Sequence, residues 1–299
     1  MAEASLNIQP TWKRLIRFRG EDGLEVYGEP QIDKAEELLI RLEDKTLLAE
    51  VYRGNSIFEV ERTGKIAKVT ELLHLLESKD VPTIRCIGLN YRAHIAEAGR
   101  KPPPYPSLFI KHNNSVAGWD EDIPVPKVAQ NEQCDYEGEL SIVIGQSGKN
   151  IPKEDAISYV AGYVTSNDVS SRKWQRELEF AGNVPQWCFS KGFDKYAPLG
   201  PMITSPLVVG SANNLWLKTW VNGEERQSTN TSDLLFDVPT IISFLSQGTT
   251  LERGTVIMTG TPSGVGLPKV GEQRWLRDGD IVEVAIEHCG QTRNKFVYI

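Results

Sequence analysis

The run Asp135-Tyr136-Glu137-Gly138-Glu139-Leu140-Ser141-Ile142-Val143-Ile144-Gly145 constrains the fold of this chain more than any other segment. Successive side chains of a β-strand point to opposite faces, so Glu137 and Glu139 share one face, and Asp135 shares it too. The apolar residues at positions 140, 142 and 144 line the other face. The pattern therefore predicts a strand that packs on one side and holds carboxylates side by side on the other.

Two carboxylates on one face need a neutralising partner, because like charges repel and apolar surroundings disfavour the charged form further. A proton, a Lys or Arg side chain, or a divalent cation would serve, and a set of oxygen ligands favours Mg²⁺, Mn²⁺ or Ca²⁺ over zinc. Asp168, at the end of the predicted strand 160–168, is the best third carboxylate. Asp135 could be a further ligand or could support the others. The alternative is a solvent-facing strand that carries acids for solubility, since this short pattern often occurs by chance.

A second candidate site is the histidine in Gly88-Leu89-Asn90-Tyr91-Arg92-Ala93-His94-Ile95-Ala96-Glu97-Ala98-Gly99. If residues 91–98 form a helical turn, His94 and Glu97 are neighbours, and the carboxylate can orient and polarise the imidazole. The pair would then be a general base for water on a segment able to close over a site. The alternative is a surface histidine beside an acid at a helix end.

The glycine-rich run Gly260-Thr261-Pro262-Ser263-Gly264-Val265-Gly266 follows a predicted buried strand. It does not match a phosphate-binding loop, because no Gly-Lys-Ser/Thr follows and Pro262 removes an amide donor. No GxGxxG pattern opens a helix, which argues against dinucleotide binding. The turn amides and the Thr261 hydroxyl could still bind a carboxylate.

The first 80 residues differ in pattern from the rest. Two period-two runs, 15–18 and 24–27, flank Gly20-Glu21-Asp22-Gly23 and predict a β-hairpin, and helical spacing predicts helices over 34–43 and 70–78. We expect residues 1–80 to form a small N-terminal α+β cap domain and residues 81–299 a catalytic domain, with the junction near Lys79-Asp80-Val81-Pro82.

Strands dominate the remainder of the chain. They are predicted from residue 84 and over 107–111, 137–145, 160–168, 215–221, 256–260 and 281–286, with a hairpin turn at Asn222-Gly223 and one clear helix at 238–247. Strands and helices do not alternate as a doubly wound parallel sheet requires. The fold class is therefore predicted as α+β, mainly β.

Net charge, cysteine spacing and the length of apolar runs limit the kinds of molecule that this chain is expected to bind and the compartment in which it is expected to occur. The 299 residues carry a formal net charge of −7, which offers no excess positive field for nucleic acid or an anionic membrane surface. The four cysteines are widely spaced, without a zinc-type pair or a disulfide pattern, and no apolar run is long enough for a signal peptide core or a membrane span. We expect a cytoplasmic protein with a small-molecule substrate.

Seven segments, taken in this order and spacing, resemble the fumarylacetoacetate hydrolase family over about residues 84–286. They are Gly88-Leu89-Asn90-Tyr91 with His94 and Glu97, Tyr105 to Lys111, Asp135 to Leu140, Asn167 to Arg172 with Gln175, Ser190 to Asp194 with Pro198 to Pro201, Trp220 to Gly223, and Thr259 to Gly266. The resemblance implies a mixed β-roll around one divalent ion, usually Mg²⁺, in a homodimer.

The resemblance also implies roles for individual residues. The metal ligands would be Glu137, Glu139 and Asp168, and the catalytic groups His94 and Glu97, on a lid, together with Lys191. Side chains around the substrate would be Arg172, Gln175, Thr261 and Tyr91. Two residues depart from the family pattern: Leu89 stands where some relatives that act on short oxo acids carry arginine, and Lys173 stands where an acid is common.

These residues support several related reactions. The leading hypothesis is a metal-dependent hydrolase that cleaves a carbon–carbon bond in a β-diketo acid of the acylpyruvate or fumarylacetoacetate type, with water activated by His94 and Glu97. An oxaloacetate-type decarboxylase or a keto-enol tautomerase or isomerase is the alternative. A non-catalytic protein that binds the metal and an oxo acid is less consistent with the full set of residues. Trp174, Trp187 and Phe189 could shape an apolar substrate pocket or pack in the core.

Overall fold

The computed structural model describes residues 10–266 and 274–299. The strands are β1 Arg14–Gly20, β2 Glu25–Pro30, β3 Leu48–Ser56, β4 Glu59–Leu73, β5 Ile84–Gly88, β6 Ser107–Lys111, β7 Val116–Ala117, β8 Ile123–Val125, β9 Cys134–Asp135, β10 Gly138–Ile144, β11 Gly148–Lys149, β12 Val160–Asn167, β13 Ser170–Ser171, β14 Ala197–Pro198, β15 Met202–Thr204, β16 Trp216–Val221, β17 Glu224–Asn230, β18 Thr250–Leu251, β19 Val256–Met258, β20 Ile281–Ile286 and β21 Gly290–Tyr298. The α-helices are α1 Glu37–Glu43, α2 Arg92–Glu97, α3 Arg172–Arg176, α4 Leu178–Ala181, α5 Trp187–Lys191, α6 Pro206–Val209 and α7 Val238–Leu245. Strands outweigh helices, which confirms the predicted α+β, mainly β class.

A ten-stranded sheet runs in the order β2-β3-β4-β1-β15-β12-β10-β19-β5-β6. The predicted hairpin is confirmed, since β1 pairs antiparallel with β2 and places Phe18 opposite Val26. β1 also pairs with β15, so strands of the first 80 residues continue the sheet that carries the acidic strand. The division into domains at residues 1–80 and 81–299 stays a prediction.

A second sheet of five strands has the order β17-β16-β20-β21-β8. The hairpin between β16 and β17 turns at Asn222 and Gly223, whose φ values are +50° and +80°. Asparagine and glycine tolerate this left-handed conformation best, and the turn matches the twist of the two strands. The predicted hairpin turn is therefore confirmed.

The helix predicted over 70–78 is wrong. Residues up to Leu73 belong to β4, and Leu72 and Leu73 lie opposite Phe18 and Arg17 of β1. Leu72 is buried in that pairing, so long-range strand contacts outweigh the local helical spacing. The other two predicted helices are present in shorter form, as α1 and α7.

The acidic strand β10 lies in the middle of the ten-stranded sheet, between β12 and β19. Leu140, Ile142 and Ile144 pack in one buried cluster with Val238 and other apolar residues of α7, as the alternation predicts. Every residue of β10 is buried, and the carboxylates therefore point into the interior of the protein. The alternative of a solvent-facing acidic strand is excluded.

Among the described residues, no helix has the length and apolar character that a transmembrane span requires. The predicted cytoplasmic location is not tested by this observation and stays a prediction.

Candidate active site and metal centre

A cavity of about 610 Å³ opens beside the start of β10. Its described apolar lining comprises Ile87, Gly88, Leu89, Ala98, Phe109, Pro185, Trp187 and Val265, and its polar lining comprises His94, Glu97, Arg100, Glu137, Glu139, Arg172, Gln175, Arg176, Lys191 and Thr261. Most of the predicted site residues therefore border one space. Pockets for small organic ligands commonly measure about 300–1,000 Å³, and this cavity lies within that range.

Strand pairing brings three carboxylates together. β10 and β12 are antiparallel, and Gly138 lies opposite Asn167, so the residues around the start of one strand meet the residue after the end of the other. One carboxylate oxygen each from Glu137, Glu139 and Asp168 lies within 4.8 Å of the other two. All three residues are buried, and oxygen donors at this spacing are suited to a divalent cation such as Mg²⁺ or Mn²⁺.

Two basic side chains from other elements, Lys191 and Arg172, partly neutralise the negative charge of these carboxylates. Lys191 Nζ lies 2.7 Å from Glu137 Oε2 and 2.6 Å from Asp168 Oδ2. Arg172 Nη1 lies 2.6 Å from Glu137 Oε1. Burial alone would raise the pKa of Glu137, but the positive charges of Arg172 and Lys191 lower it well below its usual range.

Glu139 is the carboxylate with the least compensation. Burial, together with the negative charges of Asp168 and Glu137, raises the pKa of Glu139 well above its ordinary value. Its hydrogen bond from the backbone amide of Gly260, at 2.7 Å, opposes this shift. The positive charge of Lys191 also opposes the shift, but no described cation forms an ion pair with Glu139, and a bound divalent ion would supply the missing positive charge.

Lys111 is a site residue that sequence reasoning missed. It is fully buried at the end of β6, and its Nζ lies 2.5 Å from Asp168 Oδ1 and also donates to the carbonyl oxygen of Tyr196. Asp168 is therefore held from both sides, by Lys111 and by Lys191. A signal was present in the sequence, because Lys111 shares the inward face of its strand with Phe109.

The predicted pair of histidine and glutamate lies on α2, and Gly99, with φ +64°, follows the helix as expected. His94 Nδ1 is 3.5 Å from Glu97 Oε2, which is longer than a normal hydrogen bond. Burial lowers the pKa of His94, and this effect prevails over the opposing influence of Glu137. The imidazole is consequently neutral at neutral pH and able to accept a proton.

The glycine-rich loop binds carboxylates of the protein itself. The backbone amides of Gly260, Gly264 and Gly266 donate to Glu139, Glu97 and Asp135, at 2.7, 3.2 and 2.7 Å respectively. Three amides of this loop are thus occupied by carboxylates of the chain itself, and binding of a ligand carboxylate by the loop stays a prediction. The Thr261 hydroxyl lies at the cavity, where it donates to the carbonyl oxygen of Gly138 and accepts from Gln227.

Asp135 supports the site from behind. Its Oδ2 lies 2.6 Å from Arg172 Nη2, and it does not belong to the group of three clustered carboxylates. Arg172 also donates through Nη1 to Gln175 Oε1 at 3.0 Å, so Asp135 and Gln175 fix the direction of the guanidinium. Of the two roles considered for Asp135, the structure favours the supporting one.

Of the four aromatic residues considered from the sequence, one borders the cavity. Tyr91 is fully buried at the start of α2 and does not belong to the described cavity lining. Trp187 lines the cavity, whereas Trp174 and Phe189 contact each other outside that lining, with ring centroids 5.0 Å apart. Two further cavity residues, Arg100 and Arg176, were not singled out from the sequence.

Buried acids, a neutral buried histidine and two deeply buried cations around one cavity are typical of an enzyme active site, where burial and charged neighbours shift pKa values. Comparison with known proteins defines the class further. The family profile described as fumarylacetoacetate (FAA) hydrolase C-terminal matches residues 83–297.

Individual relatives agree with this match. Caffeoylpyruvate hydrolase of Neonothopanus nambi is 40% identical over 283 residues, which cover 92% of this chain and 89% of the relative. Oxaloacetate tautomerase YisK of Bacillus subtilis is 39% identical over 225 residues, or 75% of this chain and 72% of the relative. A crystal structure of fumarylpyruvate hydrolase from Pseudomonas aeruginosa, in complex with Mn²⁺ and pyruvate, superimposes with a TM-score of 0.64 at 30% identity and covers 73% of this chain and 91% of that one. The chain therefore belongs to the fumarylacetoacetate hydrolase family and is an enzyme, as these relatives are.

Proposed function

We propose that the protein is a hydrolase that depends on a divalent metal ion and cleaves the carbon–carbon bond of an acylpyruvate, a β-diketo acid. The observation that carries the proposal is that His94 and Glu97 border the same cavity as Glu137 and Glu139. A base for water thus shares one space with a cluster of carboxylates suited to a cation. The names of two relatives, a caffeoylpyruvate hydrolase and a fumarylpyruvate hydrolase, support this class of substrate.

The residues that would hold the ion are Glu137, Glu139 and Asp168. The raised pKa of Glu139, which burial and its acidic neighbours cause, fits a site whose charge is incomplete without a cation. Mg²⁺, Mn²⁺ and Ca²⁺ all accept carboxylate oxygens, and the Pseudomonas relative was crystallised with Mn²⁺. When bound, the ion would act as a Lewis acid on the oxygens of the 2-oxo acid.

His94 would act as the general base. Because its imidazole is neutral, it can take a proton from water while the oxygen of that water adds to the acyl carbonyl carbon of the substrate. Glu97, 3.5 Å away, would stabilise the imidazolium that results. The bond between the acyl carbon and the adjacent methylene carbon then breaks, its electron pair passes to the pyruvate fragment, and a proton returns to that carbon. The products are pyruvate and a carboxylic acid.

Lys191 and Arg172 would stabilise negative charge on the pyruvate half. Both side chains are buried, so their charges act in a medium of low polarity, where electrostatic stabilisation is strong. Gln175 and Asp135 hold the guanidinium of Arg172, so it need not reorganise when substrate enters. We assign Thr261 to the wall beside the same fragment. The role of Tyr91 in substrate binding stays a prediction, and its buried position favours an indirect one.

Keto-enol tautomerisation of oxaloacetate is the second candidate. The 39% identity to a relative named oxaloacetate tautomerase favours it. The same histidine could move a proton between carbon and oxygen without adding water. Against it stands the size of the cavity, about 610 Å³, most of which a four-carbon acid would leave unfilled.

The decisive experiment is an assay of purified protein with Mg²⁺ or Mn²⁺ on a series of acylpyruvates and on oxaloacetate. Pyruvate would be measured by coupling to lactate dehydrogenase. We expect metal-dependent release of pyruvate from acylpyruvates, lowered by about 10²–10⁴-fold in His94→Gln. His112→Gln is the matched control, because His112 is exposed and lies outside the cavity.

Two results would contradict the proposal. Absence of pyruvate from every acylpyruvate, together with accelerated enolisation of oxaloacetate, would make the tautomerase reading correct. Full activity after exhaustive chelation would exclude every version that needs a metal ion.

The homodimer is proposed on separate grounds. β6 is the outer strand of the ten-stranded sheet, and Leu108 and Ile110 on it are 44% and 42% exposed. An apolar strand edge of this kind is suited to pairing with a second copy. Light scattering after size-exclusion chromatography should give twice the chain mass for the wild type and the single mass for Leu108→Lys combined with Ile110→Lys.

A further inference from the structure

Two arginines on the cavity wall form no hydrogen bond or ion pair with any other side chain that the structure describes. Arg176 is the last residue of α3, and Arg100 follows α2 just beyond Gly99. Neither side chain makes a hydrogen bond or an ion pair with another residue in the described ranges 10–266 and 274–299. This distinguishes them from Arg172 and Lys191, which bind acids in the same cavity.

Their position relative to the carboxylates follows from helix geometry. Arg172 begins α3 beside Glu137, and Arg176 lies four residues later, slightly more than one turn or about 6 Å further along the helix axis. The backbone amide of Arg100 donates to the carbonyl oxygen of Ile95, which anchors the start of the segment after α2. The two arginines thus reach the cavity wall from two different elements of the fold.

The positive charges of Arg100 and Arg176 lie close enough to repel each other. Partial burial lowers the pKa of Arg176, the positive charges of Arg172 and Arg100 lower it further, and the negative charges of Glu177 and Asp135 only partly oppose this shift. Each arginine remains charged at neutral pH, so the repulsion between them persists until an anion arrives.

The distribution of charge around the cavity points the same way. Four cations line it among the described residues, namely Arg100, Arg172, Arg176 and Lys191. Arg172 and Lys191 both contact Glu137, so Arg100 and Arg176 provide the positive charge that can attract an anionic group of a ligand.

Resting on the function proposed above, we infer that the substrate carries a second carboxylate at the end remote from the oxo acid, and that Arg100 and Arg176 bind it. The substrate class is then the dicarboxylic acylpyruvates rather than acylpyruvates with a neutral tail. Leu89, which stands where some relatives carry arginine, would contact the apolar middle of the substrate with Phe109 and Trp187. Arg100 follows the helix of His94, so binding of this carboxylate would also hold that segment over the cavity.

The test compares two acylpyruvates of matched shape. Succinylpyruvate ends in a carboxylate, and 4-methylpentanoylpyruvate replaces that carboxylate with an isopropyl group. We expect the wild type to prefer succinylpyruvate in kcat/KM. Arg176→Gln and Arg100→Gln should each lower kcat/KM for succinylpyruvate by about tenfold or more, chiefly through KM, and change it less than twofold for the neutral analogue. Lys173→Gln is the matched control, because Lys173 lies on the same helix but outside the cavity lining.

A binding measurement separates this inference from the proposed reaction. Calorimetry with 2-oxoheptanedioate and 2-oxoheptanoate, which lack the second keto group and cannot be cleaved, reports recognition alone. Equal affinity for the two acids, or equal losses for both substrates in the arginine variants, would overturn the inference even if pyruvate is released. Tighter binding of the dicarboxylate that both variants abolish, without pyruvate release from either acylpyruvate, would uphold it and remove the hydrolase proposal.

Discussion

Lys111 Nζ lies 2.5 Å from Asp168 Oδ1 in a region where both side chains are almost fully excluded from solvent. Removing one partner of a buried ion pair typically costs about 3–5 kcal/mol. Lys191 would still contact the other oxygen of Asp168, which places the expected loss at the lower end of that range. We therefore expect Lys111→Met to lower the free energy of unfolding of the metal-free protein by an amount of this order, measured by urea denaturation.

The matched control is Lys195→Met. Lys195 pairs with Glu121 at 3.0 Å, but both side chains are about one-third exposed. Its loss should cost no more than about 1 kcal/mol. Equal effects of the two substitutions would show that Lys111 does not compensate Asp168.

Glu139→Gln should make the metal-free protein more stable and remove its stabilisation by a divalent ion. Replacing the least compensated acid by its neutral isostere removes repulsion with Glu137 and Asp168, so the metal-free protein should gain stability, on the order of 1 kcal/mol. The wild type should be stabilised by about 2.7 kcal/mol when Mg²⁺ or Mn²⁺ is present at a hundred times its Kd, and the variant should not respond. Thermal unfolding with and without the ion measures both effects. Glu97→Gln should retain the metal response, because Glu97 lies outside the three clustered carboxylates.

The pH dependence of kcat/KM should report His94. Its pKa in the folded protein is lowered from the ordinary value of 6.5 by burial, and the neutral form is the base. Activity on an acylpyruvate should therefore persist below pH 6.5 and fall only as the pH drops through the lowered value. An acid limb with its midpoint above pH 6.5 would contradict this assignment.

The lowered pKa of His94 also makes the free energy of unfolding depend on pH. The unfolded chain binds a proton at His94 below pH 6.5, whereas the folded protein does not until the pH is lower, so folding stability falls with decreasing pH across that interval. Urea denaturation of wild type and His94→Gln at pH 7.5 and at pH 5.5 should show a smaller loss in the variant.

Substitutions at Gly88 and Trp187 should have non-additive effects on the free energy of unfolding. A Cβ atom at position 88 would lie 1.9 Å from the Trp187 ring, so Gly88→Ala must displace an indole that lines the cavity. We expect the substitution to reduce stability and kcat/KM in the wild type, and to have a much smaller effect on stability in a Trp187→Leu background. Denaturation of the four proteins in this double-mutant cycle gives the interaction energy, and additive effects would contradict the predicted contact.

Local patterns account for which side chains lie next to each other at the centre of the candidate site. The shared face of Glu137 and Glu139 depends only on the two-residue period of a strand, and the proximity of His94 and Glu97 depends only on helical spacing. Asp168 required the pairing of β10 with β12, which the sequence did not specify. Its carboxylate chemistry at the end of a strand is the only indication in the sequence, and the structure places it beside the other two.

Features that depend on long-range pairing could not be predicted. Lys111 reaches Asp168 across 57 positions because β6 lies at the edge of the same sheet. The alternation within its own strand indicates that Lys111 faces inward, but not which residue it meets. The segment 70–73 became a strand because β1 pairs with it. No sequence pattern distinguishes Arg100 or Arg176 from other arginines. Their shared position on the cavity wall becomes apparent only in the structure.

The loop from Gly260 to Gly266 links parts of the site that otherwise belong to separate elements. Its amides hold a proposed ligand through Glu139, the partner of the histidine through Glu97, and the anchor of Arg172 through Asp135. A shift of this backbone would disturb all three together, whereas a substitution at Arg100 or Leu89 changes only the walls. Directed evolution toward new substrates should accordingly accumulate replacements along the walls and leave Gly260, Gly264 and Gly266 untouched.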